Sequence, residues 1–131
     1  MASMRHNGVT ACLVLLVSCS SADPFRPELA DVTGSWAGVV NGMLVRVQMT
    51  EGSEDIFTEI DGTALTVLAG DSTTFILGSG SQRNNVSVIL ELLNIAACYN
   101  FSGAFTQTNR IEGQWATCAD PGNASALVLN R

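Results

Sequence analysis

The sequence predicts an all-β domain folded as an eight-stranded antiparallel up-and-down (meander) β-barrel. From Gly34 onward, short runs of alternating apolar and polar residues are separated by turn residues, and no long segment has a convincing helical period. A predicted hairpin near the start of this region separates apolar from polar residues, and a second one places its aromatic residues and its cysteines on opposite faces. Eight short strands in sequence order can remove their sheet edges by closing into a barrel.

The chain begins with the features of a secretory signal. An uncharged apolar run occupies residues 9–17 and follows a short segment that carries Arg5. A membrane-spanning helix needs about 20 apolar residues, so this run is too short to cross a bilayer, and it has the length of a signal-peptide core. We therefore expect the protein to be exported.

The end of this run, LVSC at residues 16–19, resembles the lipobox of bacterial lipoproteins. The resemblance implies a lipoprotein signal peptide of residues 1–18 and a Cys19 that carries lipid such as palmitate. Ser20 stands where the proteobacterial pattern places Asp for inner-membrane retention, so the cell outer membrane is favoured if the host has one, with the domain facing the periplasm or the exterior. Ordinary secretion with cleavage after Ala22 and an uncleaved anchor are the alternatives.

The composition favours binding over catalysis. The chain has six arginines, no lysine, 12 acidic residues and a formal net charge of −6, and its single histidine, His6, lies in the predicted signal peptide. Most acid–base, nucleophile-activating and metal-binding chemistry is lost without His and Lys, so we expect no enzyme and no cofactor. An acidic chain without a basic stripe is also a poor ligand for nucleic-acid phosphates.

Residues 19–33 are predicted to form the lipidated N-terminus and a tether. This stretch contains Pro24 and Pro27 and few apolar residues, and one helical turn is expected at 27–30. The barrel domain then comprises residues 34–131.

The strongest local signal in the domain is Asn41-Gly42. Both residues tolerate the positive φ of a type I′ hairpin turn. A turn here pairs Trp36 with Val47 on an apolar face and places Arg46 on the opposite, polar face. The first two strands are therefore predicted to form a half-buried hairpin.

A second hairpin is predicted around a three-residue loop at 107–109. This loop pairs Thr106 with Arg110 and, further along the same register, Cys98 with Cys118. The cysteines played no part in choosing the loop, so their coincidence predicts a disulfide in an oxidising compartment. The bond should lie on the face of the sheet opposite the aromatic residues.

Three more strands are predicted over 56–66, 73–79 and 86–92, and a last strand over 126–130. A turn at 82–83 would join the second of these strands to the third.

Asp61-Gly62 leaves the number of strands open. It is either a further hairpin turn, which would give nine strands, or a bend inside one strand, which we prefer.

The first strand also carries a family resemblance. Gly34 and Trp36 open it with a Gly-x-Trp that resembles the motif of lipocalins and the related avidin and fatty-acid-binding barrels. That superfamily packs a basic residue of the last strand across the tryptophan, and Arg131 is in place to be that residue. The resemblance covers residues 34–131 in outline and implies a lipocalin-like barrel. The later lipocalin motifs and the biotin-contacting residues of avidins have no match, so no ligand identity carries over.

Five aromatic residues share the inward phase and form the candidate ligand-binding set: Trp36, Tyr99, Phe101, Phe105 and Trp115. They would either line a ligand cavity or fill the core, because an eight-stranded barrel is just wide enough for its own side chains. Three apolar residues fall in the outward phase and are candidates for a partner surface: Leu44, Leu65 and Ile89.

We therefore expect a membrane-anchored bacterial lipoprotein whose small β-barrel binds a small apolar ligand or a protein partner. The alternative is a structural or interaction module of the cell envelope that binds no ligand, or an inhibitor of a secreted enzyme. No metal site is predicted, because no histidine remains after signal removal and the cysteines lack a CxxC spacing.

Overall fold

The computed structural model describes residues 25–27, 30–54, 58–84 and 86–131. The predicted signal peptide and Cys19 lie outside the described residues. Within the described part of the chain, no helix has the length and apolar character needed to cross a membrane.

Eight antiparallel strands form one closed barrel, with neighbours in sequence order and β8 paired back to β1. The strands are β1 Gly34–Val40, β2 Met43–Glu54, β3 Thr58–Leu68, β4 Asp71–Arg83, β5 Ser87–Leu93, β6 Cys98–Gln107, β7 Arg110–Thr117 and β8 Ser125–Asn130. The predicted fold class, an all-β meander barrel, is confirmed.

The first hairpin has the predicted turn and register. Asn41 and Gly42 have φ angles of 50° and 76°, as a type I′ turn requires. Trp36 pairs with Val47, and both are buried, whereas Arg46 is exposed on the outer face. The local turn chemistry and the apolar alternation therefore agree along this whole strand pair.

The second hairpin has the predicted register but a shorter turn. Phe105 pairs with Ile111 as expected, whereas Arg110 pairs with Gln107 rather than with Thr106. A register shift at Thr106 absorbs one residue, which leaves a two-residue turn and keeps the inward phase of the aromatic residues.

The predicted turn at 82–83 is wrong. β4 continues to Arg83, and Gln82 pairs with Val88 of β5. The turn lies further along the chain, between Arg83 and Ser87, and the Val86 N–H donates to the Arg83 carbonyl there at 3.1 Å.

A bulge explains this error. Leu77 pairs with Leu92 and Ser79 with Glu91, so Gly78 is the extra residue of β4. Before the bulge the odd-numbered residues face inward, and after it the even-numbered residues do. The polar residues at the end of β4 therefore belong to a strand, although their sequence is typical of a turn.

Gly62 lies inside β3, so the barrel has eight strands rather than nine. A Cβ at this position would overlap the carbonyl oxygen of Gln48 on β2, and the glycine permits this close approach of the two backbones.

The seam between β1 and β8 is also close. Ala37 pairs with Asn130 across it, and a Cβ at Gly38 would overlap the carbonyl oxygen of Val128. Only a glycine at residue 38 lets the first and last strands approach this closely.

The interior of the barrel is a continuous hydrophobic core contributed by the described parts of every strand. Its largest fully buried side chains are Trp36, Phe101, Met49, Leu90, Leu92, Ile111, Leu127 and Leu129. These side chains pack into one cluster inside the barrel, as expected for a barrel of eight strands.

Candidate ligand-binding site at the open end of the barrel

The two ends of the barrel differ. At the end where β1 begins, the segment before the first strand packs under the core through Phe25, Ala30 and Val32, which together we call the plug. The amide N–H of Ala30 donates to the carbonyl of Pro27 at 3.1 Å, in agreement with the turn predicted at 27–30. The opposite end, where β1 turns into β2, we call the mouth.

Trp36 joins the plug to the core. Its indole N–H donates to the carbonyl of Val32 at 2.7 Å, and its ring meets that of Phe105 edge-on with centroids 5.7 Å apart. A buried indole N–H needs an acceptor, and the plug supplies it. Trp36 and Phe105 are therefore structural residues of the plug end and do not line the mouth.

Arg131 covers the plug end from the outside. Its guanidinium carbon lies 4.5 Å from the centroid of the Trp36 ring. The same guanidinium group donates to the carbonyls of Asp31 at 2.6 Å, Thr33 at 2.9 Å and Thr108 at 2.9 Å. One side chain thus ties the plug to the β6–β7 turn.

Gly34 makes room for this arginine. A Cβ at Gly34 would lie 3.2 Å from the Cδ atom of Arg131, and the φ angle of +135° favours glycine. The three signature residues, Gly34, Trp36 and Arg131, therefore form one contact at the plug end.

Gln82 is a residue of the plug end that the sequence analysis missed. Its side chain is buried and donates from Nε2 to the carbonyl of Ala30 at 3.2 Å. Among the described residues, its Oε1 is the buried side-chain polar atom that has no hydrogen-bond partner. The one feature of the sequence that could have indicated its position is Gly78, because a bulge at this glycine reverses the facing of the later residues of β4 and turns Gln82 inward.

Asp31 carries the clearest electrostatic effect at this end. It accepts a 2.8 Å hydrogen bond from the Thr33 N–H. Burial raises the pKa of Asp31, but the hydrogen bonds from Thr33, the hydrogen-bonding interaction with the Glu51 side chain and the charge of Arg131 together lower it by more, so the pKa lies below its ordinary value. The carboxylate therefore stays ionised next to the guanidinium group.

The mouth holds a separate aromatic cluster. The rings of Tyr99 and Trp115 are stacked with centroids 4.6 Å apart, and Phe75 meets Tyr99 edge-on at 5.6 Å. Such pairs stabilise each other beyond the area they bury. The predicted aromatic set is thus divided, with Tyr99 and Trp115 at the mouth, Phe101 buried in the core, and the remaining two residues at the plug end.

A cavity of about 380 Å³ opens at the mouth above this cluster. It lies between the β1–β2 turn and the β7–β8 loop, and its lining residues are Val40, Asn41, Met43, Leu68, Tyr99, Trp115, Ala116, Thr117, Asp120, Asn123 and Ser125. Its volume falls in the lower part of the range for small-molecule sites, which is roughly 300–1,000 Å³. The cavity can accept a ligand of a few rings at most.

The predicted disulfide between Cys98 and Cys118 is present at the base of the β7–β8 loop. The Cα atoms are 5.4 Å apart, and the Cys118 N–H donates to the Cys98 carbonyl at 3.0 Å. Both cysteines lie on the outer face, opposite the aromatic residues, as expected. Beyond them, the loop is ordered by bonds from the Asp120 N–H to Thr117 and from the Asn123 N–H to Asp120, both 3.2 Å long.

The two disulfide sulfurs also lie near Glu91. In the described part of the chain, Glu91, Cys98 and Cys118 are the one group of three potential metal ligands whose ligand atoms lie close together. The two sulfurs are bonded to each other in the disulfide. They therefore offer no thiolate, which is the form of cysteine that binds metals, and the group does not form a metal site.

A groove of about 930 Å³ runs across the outer face of β1 to β4. Its apolar borders are Leu65, Ile76, Leu93 and Ile95, and Ile76 and Ile95 are 61% and 106% exposed. Of the three predicted outward residues, Leu65 lines this groove, Ile89 is 47% exposed, and Leu44 is half-buried. This groove is a second candidate surface, distinct from the mouth.

No protein-family model matches this chain, and no curated protein matches it.

Proposed function

We propose that this protein is a lipid-anchored binding protein whose barrel takes a small ligand in the cavity at its mouth. The observation that carries this proposal is the contrast between the two ends of the barrel. The plug, Trp36 and Arg131 close one end, whereas the other end opens into a cavity lined by Tyr99 and Trp115. The cavity is concave, and polar side chains such as Asn41, Asp120 and Asn123 converge on it beside the aromatic pair, as groups that orient a ligand do.

The proposal includes membership of the lipocalin-like barrels. The contact of Gly34, Trp36 and Arg131 supports it, because the basic residue packs across the tryptophan as the resemblance implies. The LVSC segment supports the other parts of the proposal. These are a signal peptide of residues 1–18, a lipid on Cys19, and a location at the outer membrane with the domain facing the periplasm or the exterior. Binding rather than catalysis is proposed because the chain after residue 18 contains neither His nor Lys.

Native mass spectrometry of the purified protein tests the proposed function. We expect a co-purifying small molecule, and we expect Thr117→Trp to displace it, because Thr117 is exposed and lines the cavity. Thr50→Trp is the matched control, since Thr50 is exposed on β2 and lies outside the cavity. Equal ligand occupancy in both variants would place the ligand elsewhere, and a protein that never carries a ligand would refute the proposal.

A second candidate function is an interaction module of the cell envelope with a filled lumen. The outer groove favours it, because Ile76 and Ile95 expose large apolar side chains along one face. The same mass-spectrometry experiment separates the two candidates. Only the interaction module is compatible with a mouth that stays empty and binds no small molecule.

A further inference from the structure

The charged residues of this barrel are unevenly distributed between its ends. Among the described residues, the mouth carries Asp71 at the start of β4 and Asp120 in the β7–β8 loop, and Glu91 lies beside the disulfide at the base of that loop. The five arginines among the described residues lie elsewhere: Arg46 is in the middle of β2, and the other four are at the plug end, namely Arg26, Arg83, Arg110 and Arg131. The chain has no lysine. The potential at the mouth is therefore negative.

The lining of the cavity combines an acidic group with two aromatic side chains. Asp120 lines the cavity together with the stacked pair of Tyr99 and Trp115. The backbone of Asp120 is constrained by its N–H bond to the Thr117 carbonyl and by the disulfide that ends two residues earlier, at Cys118. The carboxylate is thus carried by a short hydrogen-bonded loop next to the disulfide.

We propose that the cavity selects small organic cations with an apolar body, such as protonated aromatic amines. This inference rests on the proposed function and names its ligand class. Aromatic faces attract cations through the ring quadrupole, and a carboxylate adds a charge-assisted hydrogen bond to an ammonium group. An anionic ligand would meet Asp120, and in the described part of the chain no arginine lines the cavity to balance its charge.

Three probes of one shape test the selection: benzylammonium, benzyl alcohol and benzoate. Titration calorimetry of the purified protein at pH 7 should show benzylammonium binding about tenfold more tightly than benzyl alcohol, with benzoate weakest. Asp120→Asn should bring the ratio of the benzylammonium and benzyl alcohol affinities close to one. Asp71→Asn is the matched control, because Asp71 lies at the same end but does not line the cavity.

The indole N–H signals in a nitrogen–proton correlation spectrum locate the binding. The chain has two tryptophans, and we expect the signal of Trp115 to move on titration, while that of Trp36, at the plug end, stays in place.

Equal affinity for benzylammonium and benzyl alcohol would overturn this inference and leave the proposed function standing. Equal losses in Asp120→Asn and Asp71→Asn would also overturn it, because the preference would then come from the general field of the mouth. If none of the probes binds and no ligand co-purifies, the inference and the proposed function both fall.

Discussion

Arg131 and Trp36 stack at the plug end of the barrel, with the guanidinium carbon 4.5 Å from the centroid of the indole ring. The arginine follows the last strand and the tryptophan lies in the first, so this contact closes the barrel across the seam where Ala37 meets Asn130. Hydrogen bonds from Arg131 to Asp31, Thr33 and Thr108 extend the same contact to the plug and to the β6–β7 turn.

Removing this arginine should destabilise the fold. For Arg131→Ala we expect a loss of about 1–3 kcal/mol in the free energy of unfolding, because a cation–π contact and several hydrogen bonds are lost together. Arg131→Lys should recover only part of it, since an ammonium group cannot form the planar fork. Urea unfolding measures the loss. Arg110→Ala, which removes an exposed ion pair to Glu112, should leave the midpoint unchanged, and equal losses in both variants would contradict the assigned role.

The disulfide should contribute strongly to stability. It closes a loop with a sequence separation of 20, for which the chain-entropy model gives about 3 kcal/mol. We expect Cys98→Ser, Cys118→Ser and the double variant to lower the urea midpoint by the same amount, because any of them removes the whole bond. Non-reducing peptide mapping should find the two cysteines joined. Two free thiols, or losses that add in the double variant, would be inconsistent with this bond.

Gly38→Ala should weaken the closure of the barrel. Its Cβ would overlap the carbonyl oxygen of Val128, so the β1–β8 seam would have to open. We expect a loss of about 3 kcal/mol in the free energy of unfolding, as for other overpacked sites. Gly122→Ala is the control, because a Cβ there has no atom within 4 Å. Thermal unfolding of the two variants should differ by several degrees, and identical midpoints would argue against a close seam.

The lowered pKa of Asp31 predicts an acid-dependent loss of stability. A carboxyl group whose pKa is lower in the folded state stabilises the protein above its unfolded pKa of about 3.9, and this contribution is lost as the pH falls through the folded value. Asp31→Asn should therefore lower the free energy of unfolding at pH 7 and make that free energy fall less steeply as the pH drops below ~4. Glu51 and Arg131 face the same carboxylate, so the effect should shrink in Arg131→Ala.

Urea midpoints measured from neutral pH down to pH ~3 check this dependence. Asp71→Asn, at the opposite end of the barrel, should leave the decline as it is in the parent protein. A decline that is the same in Asp31→Asn and in the parent would remove Asp31 as its source.

The lipid anchor is a separate prediction. Cys19→Ala should abolish labelling by a palmitate analogue and release the protein from membranes, because the lipid is expected on that cysteine. Cys12→Ala is the matched control, since Cys12 lies in the predicted signal peptide, and it should be labelled as the parent is. Continued labelling of Cys19→Ala would refute the lipobox assignment.

The hairpins were predictable because their information is local. Asn41-Gly42 specifies the first turn, and the alternation of the flanking residues specifies its register. The position of Cys98 opposite Cys118 followed from the second register without any tertiary information. The end of β4 was not predictable in this way, because the bulge at Gly78 changes the phase and only contacts between strands reveal it.

The division of the aromatic set was not predictable from alternation either. Period-two patterning assigns a residue to the inner or outer face, but it does not assign its height in the barrel, which depends on strand tilt and stagger. Trp36 and Trp115 therefore share a phase and yet lie at opposite ends. Asp120 was missed for a different reason, since its place at the mouth is set by a loop and not by a strand.

The position of the plug bears on the proposed lipid anchor. The chain enters the fold through Phe25 and Val32, at the base of the barrel, and the cavity lies at the other end of the strands. Under the proposed anchoring through Cys19, the protein would be held from the side of its sealed base, and the end that carries the cavity would be the one farther from the attachment.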